Sequence, residues 1–154
     1  MVTPFAKPRT RLYSGAVTGE PIVGEREGQA YRTGEGCVNW LAITNSPDLA
    51  FCISQLTRFL ATPTVTHTAA LVHVLKYIAM TRHLGLGYRR HYAINPAIQT
   101  AEVSTFVTAN QLVGFCDVDF ANDVETRKAH AGYVFWTNHA AVDWTSTQQR
   151  LVAT

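Results

Sequence analysis

The chain has 154 residues, 47% of them hydrophobic and 16% charged, with a formal net charge of +2. This is the size and composition of one ordinary globular domain, which excludes compositional disorder, and the charge is too mild to imply a nucleic-acid partner by itself. Cys37, Cys52 and Cys116 are widely spaced with no C-x-x-C pair, so neither a disulfide framework nor a zinc site is expected. The amino terminus has no apolar core of a signal peptide and no stretch approaches the about 18 apolar residues of a membrane span, so a soluble intracellular product without membrane contact is expected.

Residues 1–30 contain Pro4, Pro8, Pro21 and scattered glycines without helical or strand periodicity, and read as a loose leader. A first helix is predicted over Tyr31 to Ile43 with Val38, Leu41 and Ala42 on its apolar side. Gly34 and Gly36 weaken its early turns, each by roughly 1 kcal/mol relative to Ala. A second helix has a better start, since Ser46 is a capping residue, Pro47 fits the first helical position and Asp48 complements the positive end of the dipole. Leu49, Ile53, Leu56 and Leu60 then recur at spacings of four, three and four, the pattern of one buried face. Thr62 or Thr64, with Pro63, ends this helix and caps the next.

The third helix, about Val65 to Arg82, is expected to bury Val65, Leu71, Val72, Leu75, Ile78 and Ala79. His73, Lys76 and His83 fall on another face as a mildly basic stripe, which suits either solvation or contact with a phosphate backbone. His67 and His73 lie six residues apart, about 600° of helical rotation, and make a poor metal pair. Residues 84–90 could form a strand ending in Arg89 and Arg90, and 91–111 reads as a linker or insertion. Strands are predicted over Leu112 to Asp117, Gly132 to Thr137 and Ala141 to Thr145, with Asn138 and His139 forming a hairpin turn. The expected fold class is thus α+β, a helical segment followed by an antiparallel sheet.

The segment Gly114 to Asp123, G-F-C-D-V-D-F-A-N-D, carries the most chemistry. On a strand, period-two alternation puts Asp117 and Asp119 on one face, where two carboxylates suit Mg²⁺, a hard cation that takes one or two protein carboxylates and fills its shell with water and phosphate. The same spacing also suits an exposed acidic turn, because D-x-D is short and common. There is no nucleophile elbow, H-E-x-x-H or phosphate-binding loop, and Gly85-x-Gly87 lacks the third glycine of a dinucleotide fingerprint.

After this acidic segment come T-R-K-A-H-A-G-Y-V-F from Thr126 and A-V-D-W-T-S-T-Q-Q from Ala141. In this order the motifs resemble the RNase H domain of copia-type LTR retrotransposon Pol polyproteins, with their D-x-D-W-A-x-D, T-R-x-S-x-x-G-Y and W-x-S-x-K-Q segments. Upstream, Y-R-T-G-E-G-C-V-N-W-L-A from Tyr31 and P-D-L-A-F-C-I-S-Q-L-T-R-F-L-A-T-P from Pro47 are similar to segments of the same family. Residues 31–90 and 112–154 carry the resemblance. It implies a helical, thumb/connection-like end of the reverse transcriptase region at 31–90, joined through 91–111 to a truncated, RNase H-like sheet at 112–154.

The resemblance further implies Asp117 as the first catalytic carboxylate, with Asp119 beside it, for Mg²⁺-dependent cleavage of an RNA–DNA hybrid by a two-metal mechanism. Lys76, Arg89 and Arg90 would be the nucleic-acid contacts. The family's next acidic ligand belongs to an S-S-x-E-A-E-Y segment expected just past Thr154, and the polymerase's Y-x-D-D motif is expected well upstream of residue 1. The expectation is therefore a fragment with an incomplete catalytic set and a vestigial Asp117. Hybrid binding is expected to be weak or absent, with a non-catalytic nucleic-acid-binding or repurposed interaction module as the alternative. Phe120, Ala129, His130 and Gln148 depart from the family's pattern, as do Glu35 and Ser46. Without the covering helices of that fold, one sheet face would be left exposed and the last third poorly stable.

Overall fold

The computed structural model describes residues 3–4, 12–88, 111–119, 123 and 125–152. The chain divides into two compact units, Met1–Gly85 and Leu86–Thr154. The first is helical and the second, over its described residues, is a three-stranded antiparallel sheet, so helices and sheet are segregated as an α+β chain.

The helical unit comprises α1 (Gly15–Thr18), α2 (Glu25–Thr44), a 3-10 turn (Pro47–Leu49), α3 (Ala50–Thr57) and α4 (Val65–Thr81). Where a loose leader is expected over 1–30, the described residues 12–30 hold α1 and the first turns of α2. α2 starts six residues earlier than its apolar periodicity suggests, behind Gly24 in extended conformation, and Glu25 and Glu27 in its first turn favour the positive end of the helix dipole. Its first turn is polar, so the apolar period could not reveal it. Leu12 joins the core, and Ile22 pairs with Thr64 in an isolated antiparallel bridge.

From Gly28 the buried positions of α2 are Tyr31, Glu35, Val38 and Ala42, at helical spacings of three and four. They meet Leu49, Cys52, Ile53 and Leu56 from the 3-10 turn and α3, and Leu71, Val74 and Tyr77 from α4. Fully burying a side chain such as Leu56 stabilises by about 1.5–3 kcal/mol, so this cluster is the main source of stability in the unit. Ser46 does not act as the expected side-chain cap; its hydroxyl donates to Asn45 Oδ1 at 2.8 Å, and the chain makes a 3-10 turn before α3 begins.

The buried face of α4 also differs from the expected one. Leu71, Val74, Tyr77 and His67 are buried, while Val65, Val72 and Leu75 are exposed, Val65 to 65%. The helix is apolar on two sides, so periodicity alone could not decide which side faces the core. On the buried side the polar atoms of His67 and Tyr77 have partners, the Tyr13 carbonyl at 2.9 Å and Asp48 Oδ2 at 2.6 Å.

The sheet contains β1 (Val113–Val118), β2 (Lys128–Thr137) and β3 (Ala140–Val152), in the order β1-β2-β3. β2 and β3 are joined by Asn138 and His139, both at positive φ (48° and 70°), as a two-residue hairpin loop of the primed type requires. The expected turn is therefore present, although both strands run longer than their apolar cores. Residues 84–88 carry no strand, in contrast to the expectation for 84–90. Arg89, Arg90 and the joint up to residue 110 lie outside the described residues.

Candidate functional site

The pairing of the strands places the acidic segment. Phe115, Val134 and Trp144 are cross-strand neighbours on one face, followed by Asp117, Gly132 and Ser146, then by His130 and Gln148 at the polar end. Asp117 is exposed on β1, and its Oδ1 accepts the Val118 amide at 2.9 Å. The next position across the sheet is Gly132, which has no side chain to cover it. The ring of His130 meets Ser146 Oγ through Nε2 at 2.8 Å.

Asp119 is placed differently, one residue past the end of β1. Its amide donates to the His130 carbonyl at 2.9 Å, and its Oδ1 accepts the His130 amide in return. The carboxylate is thus turned along the sheet toward β2, and the alternation that would align it with Asp117 does not carry through. Asp123 accepts the amides of Glu125 (3.0 Å) and Thr126 (3.3 Å) on Oδ1 and the Gln148 side-chain amide on Oδ2. Asp117 thus faces solvent, while Asp119 and Asp123 are directed at amide donors. Among the described residues, no three His, Cys, Asp or Glu side chains gather into a group able to hold a metal.

The opposite face carries Tyr133 and Phe135, with ring centroids 5.4 Å apart, and Asp143. The Tyr133 hydroxyl donates to Asp143 Oδ2 at 3.3 Å, and the charge of Asp143 raises the phenol above its ordinary pKa. Phe115 and Val118 remain 48% and 56% exposed.

In the helical unit, Lys76 is exposed and lines a groove of about 470 Å³ with Val23, Glu27, Val65, Val72 and His73. Glu27 lines the same groove, and His73 Nε2 lies 3.2 Å from the Thr3 carbonyl. The structure therefore places Lys76 in a groove that it shares with an acid, a weak arrangement for phosphate.

Two polar positions are buried in roles that the sequence did not indicate. His67 is fully buried, stacked on Phe59 with centroids 3.9 Å apart, and closes a capping box with Thr64. Glu35 lies at an expected apolar position but accepts the Thr57 hydroxyl, so the buried carboxylate has a hydrogen-bond partner. Beside it, Tyr31 donates to the Leu56 carbonyl at 2.8 Å, and burial together with the Glu35 charge raises its pKa. The Thr64-x-x-His67 spacing is the signal that could have located the first of these, with His in place of the usual Glu or Gln.

Comparison with known proteins adds the ancestry. The chain is 34% identical over 123 residues to the secreted RxLR effector protein 161 of Plasmopara viticola, covering 80% of this chain and 75% of that protein. It is 26% identical over 151 residues to the retrovirus-related Pol polyproteins from transposons RE1 and RE2 of Arabidopsis thaliana, covering 97% of this chain and 9% of each polyprotein. The chain thus spans less than a tenth of the Pol polyproteins it matches. No family model and no solved structure matches it. Among the described residues, no helix is long and apolar enough to cross a membrane.

Proposed function

Because this chain belongs to the same family as the secreted RxLR effector protein 161 and is related to Pol polyproteins of plant transposons, we propose that it is a Pol-derived module corresponding to the end of the reverse transcriptase region and the start of RNase H. It acts without hydrolytic chemistry of its own. The observation that carries this reading is the disposition of the acidic segment, where Asp119 and Asp123 are directed at amide donors and Asp117 stands apart from them. Two-metal phosphodiester cleavage needs several carboxylates converging on adjacent ions. Mg²⁺ would be supplied with one outward carboxylate here, that of Asp117.

A second reading is favoured by the extent of the match to the RxLR effector protein, which this chain covers over 75% of its length. A protein of similar size that carries the same segment suggests use as a stand-alone interaction module, separate from replication of a transposon. The apolar outer side of α4 and the exposed sheet residues are surfaces such a role could employ.

The test is cleavage of a labelled RNA–DNA hybrid with Mg²⁺ or Mn²⁺ by the full chain and by Asp117→Asn, with filter binding of the same hybrid over a salt series. No cleavage by either protein is the expected result. Cleavage abolished by Asp117→Asn would refute the non-catalytic reading. Binding that weakens steeply with salt would identify phosphate contacts and favour a nucleic-acid module, while salt-insensitive or absent binding would favour the protein-interaction reading.

A further inference from the structure

We infer that Asp119 and Asp123 are structural acceptors that fasten the β1–β2 connection to the sheet, and that this fastening is independent of divalent metal. At Asp119 the two hydrogen bonds of an antiparallel pair are kept, but the side-chain oxygen takes the place of the backbone carbonyl as acceptor for His130. The His130 amide is thereby paired by a side chain at the residue just past the end of β1. That is a way to end strand pairing at a chosen residue.

Asp123 secures the other end of the connection. Its Oδ1 receives the Glu125 and Thr126 amides, the local turn that Asp side chains favour. Its backbone carbonyl accepts the Arg127 amide at 2.8 Å, and its amide donates to the Lys128 carbonyl at 3.3 Å, so the turn leads directly into β2. Its Oδ2 accepts from Gln148 on β3, and the Gln148 amide group also reaches Thr126 Oγ1 at 3.3 Å. One carboxylate thus joins the connection, the start of β2 and the far strand.

A cation would compete with these donors. Mg²⁺ demands near-octahedral oxygen ligands at about 2.0–2.1 Å, so drawing either carboxylate into its shell would require reorienting a group already fixed by N–H donors. The two roles predict opposite responses to the same substitution. Asn retains one neutral side-chain acceptor, which serves the His130 amide at position 119 and the Glu125 and Thr126 amides at position 123 but gives up the Oδ2 contact with Gln148, and it is a poorer ligand than Asp for a hard cation. Ala can serve neither.

Thermal unfolding of the full chain and of Asp119→Asn, Asp119→Ala, Asp123→Asn and Asp123→Ala, each in EDTA and in excess Mg²⁺, separates the roles. The expected result is an unchanged wild-type midpoint on adding Mg²⁺, Asp119→Asn close to wild type, Asp123→Asn between wild type and Asp123→Ala, and Ala variants lowered by about 4 °C or more. Hydrogen exchange at the Glu125, Thr126 and His130 amides reads the same contacts locally, including in a variant without a cooperative transition: protected in the wild type and Asn variants in EDTA, and released in the corresponding Ala variants. A Mg²⁺-dependent rise in midpoint that Asn and Ala abolish equally would overturn the inference. So would equal destabilisation by Asn and Ala in EDTA, or amides that exchange freely in the wild type. These results do not depend on hybrid cleavage, so the inference and the functional reading can fail separately.

Discussion

Replacement of His67 by Ala should destabilise the helical unit by about 3 kcal/mol or more, a large share of the about 5–15 kcal/mol that holds a typical domain folded. The fully buried ring has fixed roles at both nitrogens. Nδ1 accepts the Thr64 amide at 3.0 Å, so Nε2 carries the proton and donates to the Tyr13 carbonyl at 2.9 Å. Truncation leaves that amide and that carbonyl without the ring, at about 1–3 kcal/mol each when no water replaces it. It also removes the stack on Phe59 and opens a ring-sized cavity, for another ~1–3 kcal/mol. Urea unfolding followed by far-ultraviolet circular dichroism measures the loss, because helices occur in this unit. A loss below about 1 kcal/mol would mean that neither hydrogen bond persists in solution, and would refute this account of how α4 is joined to the segment before α1.

Thiol labelling under native conditions should modify Cys37 and Cys116, which are exposed, and spare Cys52, whose buried thiol is pushed up to about 12; fast modification of all three would refute the packing of α3. Tyr77 is likewise raised from 10.0 to about 12 by burial and by its 2.6 Å hydrogen bond to Asp48. Because folded values above unfolded ones favour the protonated native state, the stability these two groups supply is present at neutral pH and is lost as pH rises from about 9 to about 12. Unfolding midpoints over that range should fall for the wild type and fall less for Tyr77→Phe, and parallel profiles would refute the assignment. Gly36→Ala should stabilise α2 by about 1 kcal/mol, since its Cβ meets open space, whereas Gly34→Ala should gain less because Leu71 Cδ2 stands 3.1 Å from the added carbon; the ranking is read by urea unfolding. Limited proteolysis should remove residues 112–154 before cutting α2 to α4, and uniform digestion would refute the expected instability of the sheet unit.

The sequence was most legible where apolar spacing and turn chemistry agreed. Leu49, Ile53 and Leu56 face the core as their spacing indicates, and Asn138-His139 turns the hairpin. It was least legible where two apolar faces competed on α4, and where α2 began with a polar turn. At the acidic segment the residue types were legible but their direction was not. Period two held through Asp117 and failed at Asp119, because the strand ended one residue earlier and the carboxylate found a backbone amide. No spacing rule anticipates that exchange of a carbonyl for a side chain. The partnership of Asp123 with Gln148 spans 25 residues and was equally out of reach of local pattern.

The two units are held by different forces, and this decides how each should respond to change. In the helical unit, Val38, Leu56 and Val74 are fully buried, so truncating a large core side chain costs about 2–5 kcal/mol through lost transfer energy and the cavity it leaves. In the sheet unit the fully or nearly buried apolar residues are small, Ala129, Ala140 and Ala141, while Phe115, Tyr133 and Phe135 stay partly in water. Truncating those aromatics removes area that was never fully withdrawn from solvent, so it costs less. What fixes the sheet is its ladder and the side-chain acceptors at its ends, where losing one partner leaves an amide unsatisfied at about 1–3 kcal/mol. Surface drift along a Pol-derived sequence is therefore better tolerated on the faces of this sheet than at Asp119, Asp123 and Gln148.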